Sequence, residues 1–162
     1  MSRRTEAQLR ELVAQGEQEL VDATAEQAIA WAATHFPTSL AVACSMADAV
    51  LPGLVADALP GVDVLFLDTG YHFSETLVTR DLVAEELDVR IVDVRPRLRV
   101  AEQDTAYGPE LWRRDPGACC RMRKVEPLRA ALGGYEAWIT GVRRDEGPTR
   151  ADTPIVTWDE SF

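Results

Sequence analysis

Cysteine is scarce in this chain, with three among 162 residues. An odd, small number without a secretory leader points to a reducing compartment, the cytoplasm, and away from a disulfide scaffold. The opening MSRRTEAQLRELVAQ has charges but no apolar core and no small-residue cleavage site. Long apolar runs are missing too: Val62–Leu67 is among the longest and far too short to span a membrane. Basic charge is in deficit, 17 Lys and Arg against 27 Asp and Glu, a net charge of −10. That balance excludes a general nucleic-acid binder, which needs a basic footprint to neutralise phosphates. One small anion gripped by a local cluster of arginines remains compatible with it. Internal repeats, low-complexity tracts and the Gly-x-x-x-x-Gly-Lys-Ser pattern of P-loop hydrolases are also absent. What is present is ordinary globular composition, 46% apolar and 27% charged. A chain of about 150 residues buries roughly 70% of its unfolded surface, enough for one core.

The pattern of elements alternates. Apolar residues recur at helical spacing over 6–21, and Thr24 with Gln27 makes a capping box for a second helix that Pro37 closes. Strands are expected at 39–43, Val62–Leu67, Val89–Val94 and 136–140, and helices at 47–59, 74–87, 110–114 and 119–132. Asp115-Pro116-Gly117 is read as a break between the last two helices. Strands separated by helices predict a parallel sheet with right-handed crossovers, whose ligands sit beyond the carboxyl ends of the strands. The loops that matter are therefore 44–48, 68–72, 95–99 and 141–150.

Each loop has a chemical and a plain reading. Ser45, in Cys-Ser-Met-Ala-Asp, either lines an anion cradle of hydroxyl and helix amides or simply caps the next helix. Asp68, Thr69 and Gly70 suit a nucleotide, or form a turn in which Asp68 caps the next element. His72 reads as a loop histidine rather than a catalyst. Cys119 and Cys120, followed by Arg121, Arg123 and Lys124, are either stabilised thiolates, half of an iron–sulfur site, or two small buried side chains. Arg143, Arg144 and Arg150 concentrate positive charge in a Gly/Pro loop. They are either forks for phosphate or sulfate, or surface charges paired with Asp145, Glu146 and Asp152.

Taken in order, CSMADAVL (44–51), FLDTGYHFSET (66–76), AEQD (101–104), CCRMRKVEPL (119–128) and WITGVRRDEGPTR (138–150) resemble the sulfonucleotide reductase family, which reduces adenylylsulfate or phosphoadenylylsulfate. The resemblance implies an α/β fold of the adenine nucleotide α-hydrolase type, related to ATP pyrophosphatases, with a parallel twisted sheet flanked by helices. It divides the chain into an N-terminal helical segment, 1–36, and a nucleotide-binding core, 37–162. The Cys-Cys pair is similar to the branch that reduces adenylylsulfate with a [4Fe–4S] cluster; the branch for the 3′-phosphorylated substrate generally lacks it. By position, the resemblance implies Ser45 in a modified phosphate loop and Asp68, Thr69 and Gly70 in the nucleotide segment. It implies Lys124 between cluster and substrate charge, Arg143, Arg144 and Arg150 over the phosphosulfate, and Cys119 and Cys120 as two of four cluster ligands. Adenylylsulfate and AMP are the implied ligands, thioredoxin the implied electron donor, and a homo-oligomer is compatible with it.

The family chemistry starts with a cysteine thiolate attacking sulfur, giving AMP and an S-sulfocysteine that thioredoxin cleaves to release sulfite. This chain departs from the pattern at its end. The family's downstream Cys-x-x-Cys and its C-terminal Glu-Cys-Gly-Leu-His motif are not found before Phe162. The expectation is a truncated or fragmentary reductase that does not turn over alone. Met46 also stands where the phosphate loop often has glycine. A reductase for the 3′-phosphorylated substrate and a non-catalytic adenine-nucleotide module are the alternatives.

Overall fold

The computed structural model describes residues 3–161. Two capped helices come first, α1 (Glu6–Glu19) and α2 (Ala25–His35), each closed at its start by a capping box, Thr5 with Gln8 and Thr24 with Gln27. Strands β1 (Leu40–Cys44), β2 (Val62–Leu67), β3 (Val89–Val94) and β4 (Ala137–Thr140) make one sheet, ordered β3-β2-β1-β4. Every pairing is parallel, with Val42 opposite Val64 and Ile139, and Val64 opposite Ile91. Between the strands lie α3 (Val50–Ala58), α4 (Ser74–Glu86), α5 (Val100–Tyr107), α6 (Leu111–Arg114), α7 (Pro116–Cys120) and α8 (Glu126–Leu132).

Both faces of the sheet are covered, as parallel strands require. On β2, Val62, Val64 and Phe66 enter a cluster with Ile29 of α2, Val42, Met46, Val55 of α3 and Val83 of α4. Leu65 faces the other way, onto Ala41, Val94 and Leu128 and Leu132 of α8. Burying each such side chain contributes about 1.5–3 kcal/mol, which is why the most apolar strand occupies the middle of the core. The chain runs β1, β2, β3 in one direction and then returns to the far side of β1 for β4. In such sheets ligands bind beyond the carboxyl ends of the strands that flank the reversal, here β1 and β4.

Two sequence expectations are corrected and one helix is added. Helix α3 starts at Val50 rather than at 47, because residues 45–49 form a loop around Met46. Helix α5 was not anticipated; it is short, and Arg99 stands at its N-cap in place of Ser, Thr, Asp or Asn. Asp115-Pro116-Gly117 opens a helix instead of separating two. Asp115 accepts the Ala118 N–H at 2.9 Å, and Pro116 takes the first position, where a missing N–H leaves nothing unsatisfied. Among the described residues no helix is long and apolar enough to cross a membrane.

Candidate active site at the carboxyl ends of the strands

The loop after β1 turns on Met46, whose φ of 55° lies in the left-handed region. Its side chain is 1% exposed and packs into the main cluster. The Met46 amide donates to Cys44 Sγ at 3.4 Å. Burial pushes the Cys44 thiol up from its ordinary value, and the neighbouring amides offset this only partly; a protonated thiol is a weak nucleophile. Ser45 is exposed and does not cap α3: the Val50 N–H goes to Asp48 Oδ1 at 3.0 Å.

After β2, Asp68 Oδ1 accepts the Gly70 N–H at 3.2 Å while Oδ2 pairs with Arg95 at 3.3 Å. Gly70 has φ 76°, and a Cβ there would sit 3.0 Å from Val100 Cγ2, so conformation and space both call for glycine. Thr69 Oγ1 accepts the Tyr71 N–H at 3.3 Å. His72 Nε2 lies 2.7 Å from the Leu67 carbonyl, which it can bond only as a donor, and its ring packs on Phe66. That fits a loop-holding histidine.

The helix bearing the cysteine pair is interrupted. Pro127 cannot donate to the Arg123 carbonyl four residues back, and its ring crowds that oxygen. A π-helical turn, Arg121–Val125, takes up the misfit, with the Glu126 N–H reaching the Arg121 carbonyl. Three cations that look alike in sequence are thereby separated. Arg121 is exposed and 3.6 Å from Glu126, and Lys124 is exposed with no ion pair among the described residues. Arg123 is 3% exposed. Its Nη1 donates to the Thr69 carbonyl at 2.9 Å and its Nη2 to the Leu98 carbonyl at 3.4 Å, with the guanidinium 5.1 Å from the Tyr71 ring. Its Nε has no partner, and it forms no ion pair with a carboxylate among the described residues. An uncompensated buried charge is costly, so this arrangement suits a nearby anion.

A cavity of about 740 Å³ unites Thr69, Cys119, Cys120, Arg123 and Lys124 with Tyr71, Phe73 and Trp112. Four of the sequence-selected residues thus meet in one place, Gly70 borders it at Arg123, and Cys119 is buried where Cys120 is exposed. The aromatic wall was not anticipated; Phe73 (80% exposed) and Trp112 have no periodic signal to mark them. Pro127, four residues after Arg123, is the signal that could have singled out Arg123. Among the described residues no group of three or more His, Cys, Asp or Glu is placed to hold a metal.

The arginine loop lies apart from this cavity, beyond β4. Arg144 Nε donates to the Thr153 carbonyl at 2.9 Å and lines a second cavity, about 840 Å³, between α1, β4 and residues 153–159. Arg150 is bonded to Glu146, and Arg143 lies 3.5 Å from Asp145 and 3.7 Å from Glu146. The expected partners are thus found, save Asp152. Ser45, Asp68, Gly70, Arg143 and Arg150 line neither cavity.

The phosphoadenosine phosphosulfate reductase domain matches residues 38–162. The chain belongs to that family. Adenosine 5′-phosphosulfate reductase of Mycolicibacterium smegmatis is 55% identical over 98% of this chain and 67% of its own length. The protein of the same name from Streptomyces coelicolor is 54% identical over 97% of this chain and 66% of its own. The chain therefore spans about two thirds of these relatives. The crystal structure of phosphoadenylyl-sulfate reductase from Candida auris, a phosphate complex, matches with a TM-score of 0.61 at 24% identity, covering 88% of this chain and 70% of that one. At that identity it supports the fold alone: a parallel sheet flanked by helices.

Proposed function

We propose that this reductase-family chain carries the nucleotide-binding part of a thioredoxin-dependent enzyme of sulfate assimilation, one that reduces adenylylsulfate to sulfite and AMP. The observation that carries the reading is the single cavity joining Cys119, Cys120, Lys124, Thr69 and the buried, acid-free Arg123. Adjacent cysteines beside two cations are a donor set for an anionic iron–sulfur group. Cys119 and Cys120 fit as two of the four ligands of a [4Fe–4S] cluster. Such a group would supply an electrostatic centre beside the substrate, with Lys124 between the two charges. The Cys-Cys pair favours adenylylsulfate over its 3′-phosphorylated form. Cys44, with its thiol pushed towards the protonated form, is a poor substitute for the family's nucleophile.

Beyond the carboxyl ends of the strands, Ser45, Asp68, Thr69 and Gly70 would hold the nucleotide, and Arg143, Arg144 and Arg150 the phosphosulfate. A guanidinium that grips a desolvated phosphate contributes about 2–3 kcal/mol. Arg144→Ala should weaken AMP binding roughly thirty- to a hundredfold, at about 1.4 kcal/mol per tenfold. Arg144→Lys restores charge without the fork and should recover only part. Calorimetry on variants shown to be folded by circular dichroism tests this; wild-type affinity in both would make the loop an ordinary surface turn.

A further inference from the structure

The arginines of the loop after β4 have partners within the chain itself. Glu146 Oε2 accepts from Arg150 Nη1 and from the Arg143 backbone N–H, the latter at 3.3 Å, and its Oε1 lies 3.7 Å from Arg143 Nη2. One carboxylate thus joins two short 3-10 turns, Arg144–Glu146 and Pro148–Arg150, at both ends. The Glu146 side chain is 28% exposed, against 70% for Arg143 and 47% for Arg150. The acid is the least exposed of the three side chains. Its carboxyl is held below the usual carboxylate range, first by the Arg143 N–H, so it is charged near neutral pH. Arg150 is anchored through Nη1 alone, and its Nε and Nη2 have no partner among the described residues.

An exposed ion pair of this kind adds little to stability. It can matter more for binding, because a long side chain fixed in advance does not have to be ordered when the ligand arrives. We propose that Glu146 is a positioning residue: its shared carboxylate holds Arg143 and Arg150 side by side, so that a phosphosulfate meets forks already aligned. The proposal rests on reading this loop as the anion site. Glu146 also carries a negative charge next to that site, and on charge alone its removal would tighten anion binding. The two effects therefore differ in sign.

Glu146→Ala and Glu146→Gln test this by calorimetric titration with AMP, alongside melting curves and the NMR signals of the arginine Nε–H groups. Positioning predicts that Glu146→Ala weakens AMP roughly tenfold, a few-fold for each side chain released. The Arg143 and Arg150 signals should lose their order while the melting temperature holds. Glu146→Gln keeps an acceptor oxygen and should stay within about threefold of wild type. Equal or tighter binding by Glu146→Ala overturns the role and leaves Glu146 a counter-charge. Equal loss in both variants assigns the effect to charge and also overturns it. A wild type that ignores AMP overturns the reading of the loop itself, and this role with it.

Discussion

Met46 sets two structural effects against each other, and their balance can be worked out. The residue sits at φ 55°, where a side chain costs roughly 1–2 kcal/mol that glycine avoids. The same side chain is 1% exposed in the main cluster, and truncating a buried methionine to alanine costs about 2–5 kcal/mol. Met46→Ala keeps the strain and loses the packing, so a destabilisation of about 3 kcal/mol is expected. Met46→Gly loses the same packing but relieves the strain, less about 0.4–1 kcal/mol for the freer unfolded chain. Glycine should therefore be the milder of the two by about 0.5–1 kcal/mol. At ordinary positions within helices and strands the order is reversed, alanine being preferred by a similar margin. Urea unfolding, followed through the four tryptophans, measures both. At roughly 2–4 °C per kcal/mol for a chain of this size, Met46→Ala should melt roughly 6–12 °C below wild type. Alanine milder than glycine would refute the left-handed turn, and wild-type stability in both would refute the buried plug.

The remaining expectations concern pH and iron. Tyr135 donates to Asp63 at 2.6 Å, and burial together with that bond pushes its hydroxyl up to about 12. A raised folded value means stability present below the unfolded value of about 10 and lost between there and about 12. Tyr135→Phe should cost about 1 kcal/mol near neutral pH and flatten that alkaline loss in denaturation curves; an unchanged alkaline slope would contradict it. The Glu136 side chain is largely covered, which works against its charge, yet the Arg4 backbone N–H, Ser39 and the Arg4 guanidinium bring it below the carboxylate range. Its stabilisation is present above about pH 4 and lost as pH falls further. Glu136→Gln should therefore be less stable than wild type near neutrality and converge with it in acid, as urea midpoints across pH would show. In a longer chain that supplies two further cysteine ligands, Cys119→Ser and Cys120→Ser should each retain less iron and acid-labile sulfide than wild type after anaerobic reconstitution, whereas Cys44→Ser should not. Equal retention in all three would remove the pair from the cofactor site.

Much of the fold was legible because its signals are local. Val62–Leu67 and Val89–Val94 are found where apolar, β-branched runs bounded by turns place them, and the capping box of Thr24 and Gln27 forms as its spacing demands. Where tertiary contacts decide, the reading slipped. The late start of α3 depends on Met46 finding a core pocket that repays its backbone conformation. The π turn depends on Pro127, which taken alone would equally end a helix. The site was legible as a set of strand-end loops, but its division was not. Thr69, Lys124 and the cysteine pair share one cavity, the arginine loop lies across the switch point, and only the strand order β3-β2-β1-β4 separates them.

Direct titration of the folded chain with adenylylsulfate tests the central proposal most simply. The expected result is saturable binding of one nucleotide per chain, displaced by AMP and weakened by Arg144→Ala by the same factor as AMP itself. A flat titration with protein that melts cooperatively would contradict it, as would binding that neither AMP nor the loss of Arg144 disturbs.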